Sequence, residues 1–314
     1  MTLIISEQVT KKLIDMPRAL ALVETVLRDY AAGKVRRLSR CRLKGKQKGL
    51  NIMAGWHSDW DLFCMRFYSG KRTSSIALHS GRTGEFLALM NASYLAPLRT
   101  GATSGIAAKY LAPADTRVLG VIGPGRQAAF QLSAIVLSTA VQTVLVYGRN
   151  QAKNKQFMHN MRKTISAEIK DAVSIDQIES QSDIIVLATD SKASILDGSL
   201  LKDEVLVISI GANQIVKHEV SSDLIRRMDL VVTDDVPTAQ LDSGDLIRAR
   251  EAGVLRWESV VPLDAVVATN VFKDRPKRIL FQSNGIADDA LAVGRYVLNA
   301  ARRKRIKITT VNEI

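Results

Sequence analysis

The sequence predicts an α/β protein in which a doubly wound parallel sheet is inserted in a second, α+β domain made from both chain ends. Three observations predict it. From Thr116 onward the chain alternates strand and helix, and its apolar runs are RVLGVI, TVLVYG, DIIVLA, VLVISIG and DLVVTD. Continuous apolar strands spaced this way belong to a parallel sheet covered on both faces. From Val35 to about Asn91 the texture is different, because LFCMRFY, SSIALHS and EFLALMN alternate apolar and polar residues as antiparallel strands do. Finally, a strand–turn–helix signature, VLGVIGPGRQA from Val118 to Ala128, sits in the middle of the chain rather than at its start. The predicted domains are 1–113 plus 286–314 for the α+β part and 114–285 for the parallel sheet, within a chain of 314 residues that has room for two medium domains.

The elements follow in order. Residues 17–32 have helical period and open on a proline, which a first turn tolerates. Ser69-Gly70-Lys71 and Ser80-Gly81-Arg82-Thr83-Gly84 read as hairpin turns of the antiparallel sheet. Residues 97–112 are helical again, and 286–303 close the chain with a helix.

Composition limits the function classes. The formal charge is +13, from 44 basic and 31 acidic residues. It concentrates in Lys34 to Lys48, which holds eight cations and no acid, and in Arg302, Arg303, Lys304, Arg305 and Lys307. Such runs serve anionic ligands or nucleic acid, or simply form a solvated strand face and a basic helix end. No nucleic-acid motif accompanies them, so nucleic acid is not the expected partner. No apolar run is long enough to span a membrane, and the first residues have no signal-peptide pattern, so a cytoplasmic location is expected. Cys41 and Cys64 make no CxxC or metal spacing, and neither a GxSxG nor a P-loop signature occurs.

The mid-chain signature carries the chemistry. Gly123, Gly125 and Ala128 have GxGxxA spacing at a strand-to-helix turn. In a Rossmann-type sheet this turn holds a dinucleotide pyrophosphate. Gly123 allows the sharp turn, Gly125 lets phosphate approach the backbone, and Ala128 lets the helix approach the strand. The helix N-terminus supplies free N–H groups, and Arg126 and Gln127 stand there too. The second strand ends Val146-Tyr147-Gly148-Arg149-Asn150, without the acid that usually takes the ribose hydroxyls of NAD. Arg149, with Asn150 and Lys153, suits a 2′-phosphate, which favours NADP(H) over NAD(H). Thr189 after the strand DIIVLA, and Ser209 to Ala212 with Gly211 among them, occupy the lip expected to take a nicotinamide ring.

The stretch LALMNASYLAPLRTGATSGIAAKYLAPADTRVLGVIGPGRQAAFQLSAI strongly resembles the ornithine cyclodeaminase/mu-crystallin family. SDIIVLATDS, VISIGANQIVKHEV, LDSGDLI and FQSNGIADDALA agree with it, so the likeness covers most of the chain from about Gly33. The resemblance implies an NAD(P)-dependent enzyme of imine and amino-acid chemistry, and a homodimer built by the domain made from both chain ends. It also implies that cationic side chains of that domain bind the substrate carboxylate. Aligned on the motifs, those positions are Arg40, Arg66 and Arg99, with Thr100 beside the last. Arg66 stands where the family usually has lysine. Its planar fork suits a carboxylate but, with a pKa above about 12, would be a poor proton donor.

A second departure from the family is Asn213, in GANQ, where cyclodeaminase-like members carry an aspartate that handles the substrate amine. An amide cannot take a proton as a carboxylate does, although it can hydrogen-bond an imine nitrogen. This disfavours ornithine cyclisation and favours hydride delivery to a 2-imino acid, a cyclic ketimine among the candidates, or the reverse amino-acid dehydrogenation. In that reading Asn213 and Arg66 are the catalytic candidates. The readings left open are cyclodeamination with held NAD, and a non-enzymatic dinucleotide- or small-molecule-binding protein. Among the remaining polar residues, His57 reads as part of a loop packed by Trp56 and Trp60, and His79 and His159 are further candidates without a motif. His218 and Glu219 read as inert on a surface helix. Asp288 and Asp289 read as dipole partners at the start of the final helix.

Overall fold

The structure is a computed structural model that describes residues 2–70, 73–269, 275–303 and 309–311. Lys71 of the first predicted turn, and Lys304, Arg305 and Lys307 of the basic end, lie outside the described residues. The chain opens with β1 (Thr2–Ile5), α1 (Glu7–Leu13) and α2 (Met16–Ala31). Five strands follow: β2 (Val35–Lys44), β3 (Gly49–His57), β4 (Leu62–Ser69), β5 (Thr73–Ser80) and β6 (Phe86–Asn91). Helix α3 (Leu95–Leu111) leads to β7 (Val118–Ile122), α4 (Arg126–Ser138), β8 (Thr143–Tyr147), α5 (Gln151–Met161), β9 (Glu168–Asp171) and α6 (Ile175–Gln181). Then come β10 (Ile184–Leu187), β11 (Lys192–Leu196), β12 (Val205–Ser209), β13 (His218–Val220), α7 (Ser222–Arg226) and β14 (Leu230–Thr233). The chain continues through α8 (Val236–Asp242), α9 (Gly244–Glu251), β15 (Val260–Pro262), α10 (Leu263–Thr269) and β16 (Arg278–Gln282), and ends with α11 (Ala287–Arg303) and β17 (Thr309–Val311). Two compact units result, Met1–Thr103 with Ile286–Ile314, and Ser104–Gly285. The division falls inside α3.

In the first unit the described strands form one sheet in the order β17-β1-β6-β5-β4-β3-β2. Strands β2 to β6 are antiparallel neighbours, as their alternation predicts. The sheet is nonetheless mixed, because β1 joins β6 in parallel. Nor does the final helix end the described chain, since β17 pairs antiparallel with β1. Helix α2 starts where the Asp15 carboxylate accepts the Arg18 N–H at 3.1 Å. Its buried Val26 packs with Val35 and Ala292, which joins α2, β2 and α11 in one small core.

The second unit holds an eight-stranded sheet among the described residues, ordered β15-β14-β16-β12-β10-β7-β8-β9. Its pairings are all parallel. Strands β7, β10 and β12 have residues buried along nearly their whole length, which is why they read as uninterrupted apolar runs. The short strands β9, β15 and β16 have no counterpart in the sequence reading. The chain winds from β7 to β8 and β9 on one side and then to β10 on the other. Strands β7 and β10 therefore flank the topological switch point, where ligands bind in open α/β sheets. A separate pair, β11 and β13, carries His218 and Glu219, which are buried strand residues rather than members of a surface helix.

Candidate active site

At the switch point, Gly123 follows β7 with φ +90, a conformation that side chains rarely adopt. A Cβ there would lie 2.8 Å from the Ala188 carbonyl oxygen, so the turn also needs the missing side chain. Gly125 differs. It is the N-cap of α4 with ordinary extended dihedrals, and no side chain caps the helix. A Cβ on Gly125 would meet nothing nearer than the Gly123 carbonyl oxygen at 3.9 Å. That combination of open space and helix N–H donors without a side-chain cap fits a pyrophosphate. Ala128, in the first turn of α4, is buried. Arg126 and Gln127 are exposed at the helix start, and Arg149 is exposed after β8. The Asn150 side chain caps α5, accepting the Lys153 N–H at 3.0 Å, so its oxygen is already engaged.

The lip residues are tied to a carboxylate that sequence reasoning passed over. Glu219 is fully buried. It accepts the Thr189 N–H at 2.6 Å, the Thr189 hydroxyl at 2.8 Å, the Ser209 hydroxyl at 2.8 Å and the Gly211 N–H at 2.6 Å. The Ser209 hydroxyl is thus turned into the protein, toward Glu219 and Asp245. Burial raises the pKa of Glu219, and these donors oppose the shift. Asp245, beside it, is pushed up to about 7, chiefly by burial. His218 is buried, and burial first, then the charge of Arg248, lowers its pKa. Asn213 is half-buried on the loop after β12, with its amide nitrogen 3.5 Å from the Ile210 carbonyl oxygen.

In the first unit the cations from the basic run do not form one solvated face. Register shifts between Leu38 and Cys41, where two residues of β2 stand opposite Met53 of β3. This bulge, formed by Ser39 and Arg40, re-aims the strand, so that the side chains of Arg37 before it and Arg40 within it are both buried. Arg40 is 7% exposed, Arg66 on β4 is 7% and Arg99 on α3 is 4%. Arg37 pairs with Asp288 at 2.6 Å and lies over the Tyr30 ring at 3.6 Å. Arg99 lies 3.5 Å from Asp289, whose carboxylate also accepts the Thr103 hydroxyl at 2.7 Å. Asp288 and Asp289 are thus buried ion-pair partners, and not merely neighbours of the helix dipole. Thr100 turns its hydroxyl back to the Ala96 carbonyl at 2.9 Å.

Arg66 gives one hydrogen bond to Met53 Sδ at 3.4 Å and stacks 4.3 Å from the Tyr68 ring. The Nε atoms of Arg66 and Arg99 are buried without a hydrogen-bond partner. Burial, then the charges of Arg99 and Arg40, pull the Arg66 guanidinium down to about 9, well below its sequence-based expectation. Arg66 and Arg99 are therefore short of acceptors at Nε, which a carboxylate supplies. The buried Cys64 thiol on the same strand is pushed up to about 12 by burial and by Asp288, so it stays protonated. His57 ends β3 instead of lying in a loop. It stacks on Trp60 with centroids 3.7 Å apart and meets Asp29 at 3.1 Å. Among the described residues no His, Cys, Asp and Glu group could hold a metal, and no helix is long and apolar enough to cross a membrane.

Comparison with known proteins agrees with this arrangement. The chain is 29% identical to an alanine dehydrogenase of Archaeoglobus fulgidus over 97% of each chain. It is 30% identical to the iminosuccinate reductase of Paracoccus denitrificans, over 74% of this chain and 72% of that one. Its fold matches Thermococcus litoralis Delta(1)-pyrroline-2-carboxylate reductase in complex with NADH and L-proline, with TM-score 0.93, 26% identity and coverage of 98% of this chain and 100% of that one. The sequence profile of one family matches residues 2–305, and the chain belongs to that family, ornithine cyclodeaminase/mu-crystallin.

Proposed function

We propose that the protein reduces a 2-imino acid to an amino acid with a reduced nicotinamide dinucleotide, or runs the reverse dehydrogenation. The observation that carries this reading is the buried cluster of Arg40, Arg66 and Arg99, with guanidinium nitrogens of Arg66 and Arg99 lacking acceptors. Those side chains hold the substrate carboxylate, Arg99 being fixed by Asp289. Gly123, Gly125 and the α4 N-terminus receive the pyrophosphate, and Thr189 and Gly211 border the nicotinamide. The bound cofactor supplies the hydride. Asn213 orients the imine nitrogen by hydrogen bonding, and it lacks the carboxylate that cyclodeamination asks for. Arg66, lowered to about 9, stands closer to proton-donating range than an ordinary guanidinium. The relatives named above act on imino or amino acids, which supports the substrate class.

For the cofactor we favour NADP(H) over NAD(H), because the turn after β8 carries Arg149 and no acid, and Lys153 is exposed on α5. A homodimer fits the outward face of the first unit's sheet, where Leu38, Leu43, Phe63 and Met65 are exposed together. A cytoplasmic location fits two cysteines that are free, Cys41 exposed and Cys64 buried. The test of the reaction is loss of reduced-nicotinamide absorbance when the purified protein meets a panel of 2-imino acids. In that assay Arg99→Ala lowers kcat/KM about a hundredfold, the cost of a lost charged hydrogen-bond donor. Unchanged turnover in Arg99→Ala removes the carboxylate role.

A further inference from the structure

Glu219 and Asp245 are buried carboxyl groups that the proposed reaction does not use. Their hydrogen bonds fix where the proton sits. Glu219 Oε1 faces the Thr189 N–H at 2.6 Å, and its Oε2 faces the Gly211 N–H at 2.6 Å. A main-chain N–H can only donate, so both oxygens of Glu219 must accept. Four donors at 2.6–2.8 Å on these two oxygens favour the ionised form of Glu219. The Ser209 hydroxyl lies 2.8 Å from Glu219 Oε2 and 3.1 Å from Asp245 Oδ2. It has one proton, which goes to the anion, and its oxygen then needs a donor on the other side. Asp245 Oδ1 accepts the N–H groups of Glu219 at 3.0 Å and Val220 at 3.4 Å, which leaves Oδ2 to carry a proton toward Ser209. His218 Nδ1 is 3.7 Å from Asp245, beyond hydrogen-bond distance, and burial lowers the imidazole pKa, so the ring adds no proton to this chain of bonds. The loops it ties are in contact with each other, since a Cβ on Gly211 would fall 2.2 Å from the Thr189 carbonyl oxygen.

We propose that protonated Asp245, acting through Ser209, fixes an ionised Glu219 that clasps the loops after β10 and β12, making Glu219 and Asp245 positioning residues for the nicotinamide half of the dinucleotide. The positioning role rests on the cofactor reading given above, whereas the placement of the proton does not.

The geometry makes the two residues unequal under amide substitution. Asp245→Asn keeps an acceptor toward Glu219 and Val220 and offers an N–H to Ser209, so it copies the protonated acid. Glu219→Gln sets an NH2 against a main-chain N–H whichever way the amide turns. The experiment measures binding of NADH and of ADP-ribose to the full-length protein by calorimetry, with Asp245→Asn and Glu219→Gln beside the wild type. Infrared spectra of wild type and Asp245→Asn, taken below about pH 7, read the band of a protonated buried carboxyl. The expected result is NADH affinity within about threefold of wild type for Asp245→Asn, and about tenfold or more weaker for Glu219→Gln with ADP-ribose affinity kept. Asp245→Asn is expected to remove a component of that band. Loss of NADH affinity in Asp245→Asn, retention of it in Glu219→Gln, or parallel loss of both ligands overturns the positioning role. A band that Asp245→Asn leaves wholly unchanged overturns the proton assignment, and this arm decides if Glu219→Gln does not fold. A wild type that binds neither ligand overturns the cofactor reading and the positioning role together, and the infrared band still decides where the proton sits.

Discussion

Gly125→Ser is expected to stabilise the free protein while damaging its cofactor site. Gly125 is the N-cap of α4, with φ −104 and ψ −170 and no side chain bonding the first turn. Those dihedrals lie in the same extended region as the serine caps elsewhere in the chain, Ser174 of α6 at φ −152 and ψ 169 among them. A serine at 125 therefore adopts the required backbone without strain, and its Cβ enters open space, with the nearest atom 3.9 Å away. Its hydroxyl would accept an N–H from the first turn of α4, a gain of about 0.3–1 kcal/mol over glycine. For a unit of this size that raises Tm by roughly 1–4 °C. The same hydroxyl occupies the place where a pyrophosphate oxygen must sit and uses a donor it needs. Losing one such charge-assisted bond costs about 1.5–3 kcal/mol, or about ten- to a hundredfold in affinity for the dinucleotide. The assay is paired, with thermal unfolding without ligand and calorimetric titration with NADH and NADPH. Unchanged dinucleotide affinity in a stabilised Gly125→Ser protein would show that the glycine turn is an ordinary strand–helix connection and would remove the central argument for the cofactor.

Other outcomes follow from the same geometry. Arg66 is charged below its pKa of about 9, and a bound carboxylate favours that charged form, so affinity for a carboxylate probe such as pyruvate is flat below about pH 9 and falls above it. Arg66→Gln binds more weakly and loses that break, and a break that persists in the variant assigns it elsewhere. Arg149→Ala weakens NADPH about tenfold and leaves NADH within about twofold in the same titration; equal effects on both dinucleotides remove the 2′-phosphate role. Met65→Lys, on the outward sheet face, shifts the protein from dimer toward monomer in analytical ultracentrifugation, because it places a charge in an exposed apolar face. A monomeric wild type refutes the dimer outright.

What the sequence revealed and what it concealed have physical reasons. The turn at Gly123 and Gly125 is local, because strand, turn and helix start lie within eleven residues of chain from Val118 to Ala128. Arg99 was legible from the motif that fixes its place on α3. Arg40 faces inward because of a bulge between Leu38 and Cys41, and strict alternation from Arg37 would have turned Cys41 inward instead. Glu219 was read as inert because nothing in KHEV marks burial. Its bonding partners come from positions 189, 209 and 211, and only the folded sheet brings them to one carboxylate. Asp288 and Asp289 looked like helix-start acids, which they are. Their pairing with Arg37 and Arg99 depends on the C-terminal helix packing in a unit that begins nearly the whole chain earlier.

The buried charges of the two units differ in a way that separates a support from a binding site. Glu219 is an anion inside the protein with a full set of donors, so its charge is compensated before any ligand arrives. The arginine cluster differs. The Nε atoms of Arg66 and Arg99 have no acceptor, and burial pulls the Arg66 pKa down to about 9. A bound carboxylate returns part of that unfavourable environment to the charged form. The destabilised guanidinium suits this face of the sheet to the proposed carboxylate, just as the satisfied Glu219 suits the proposed role of a support.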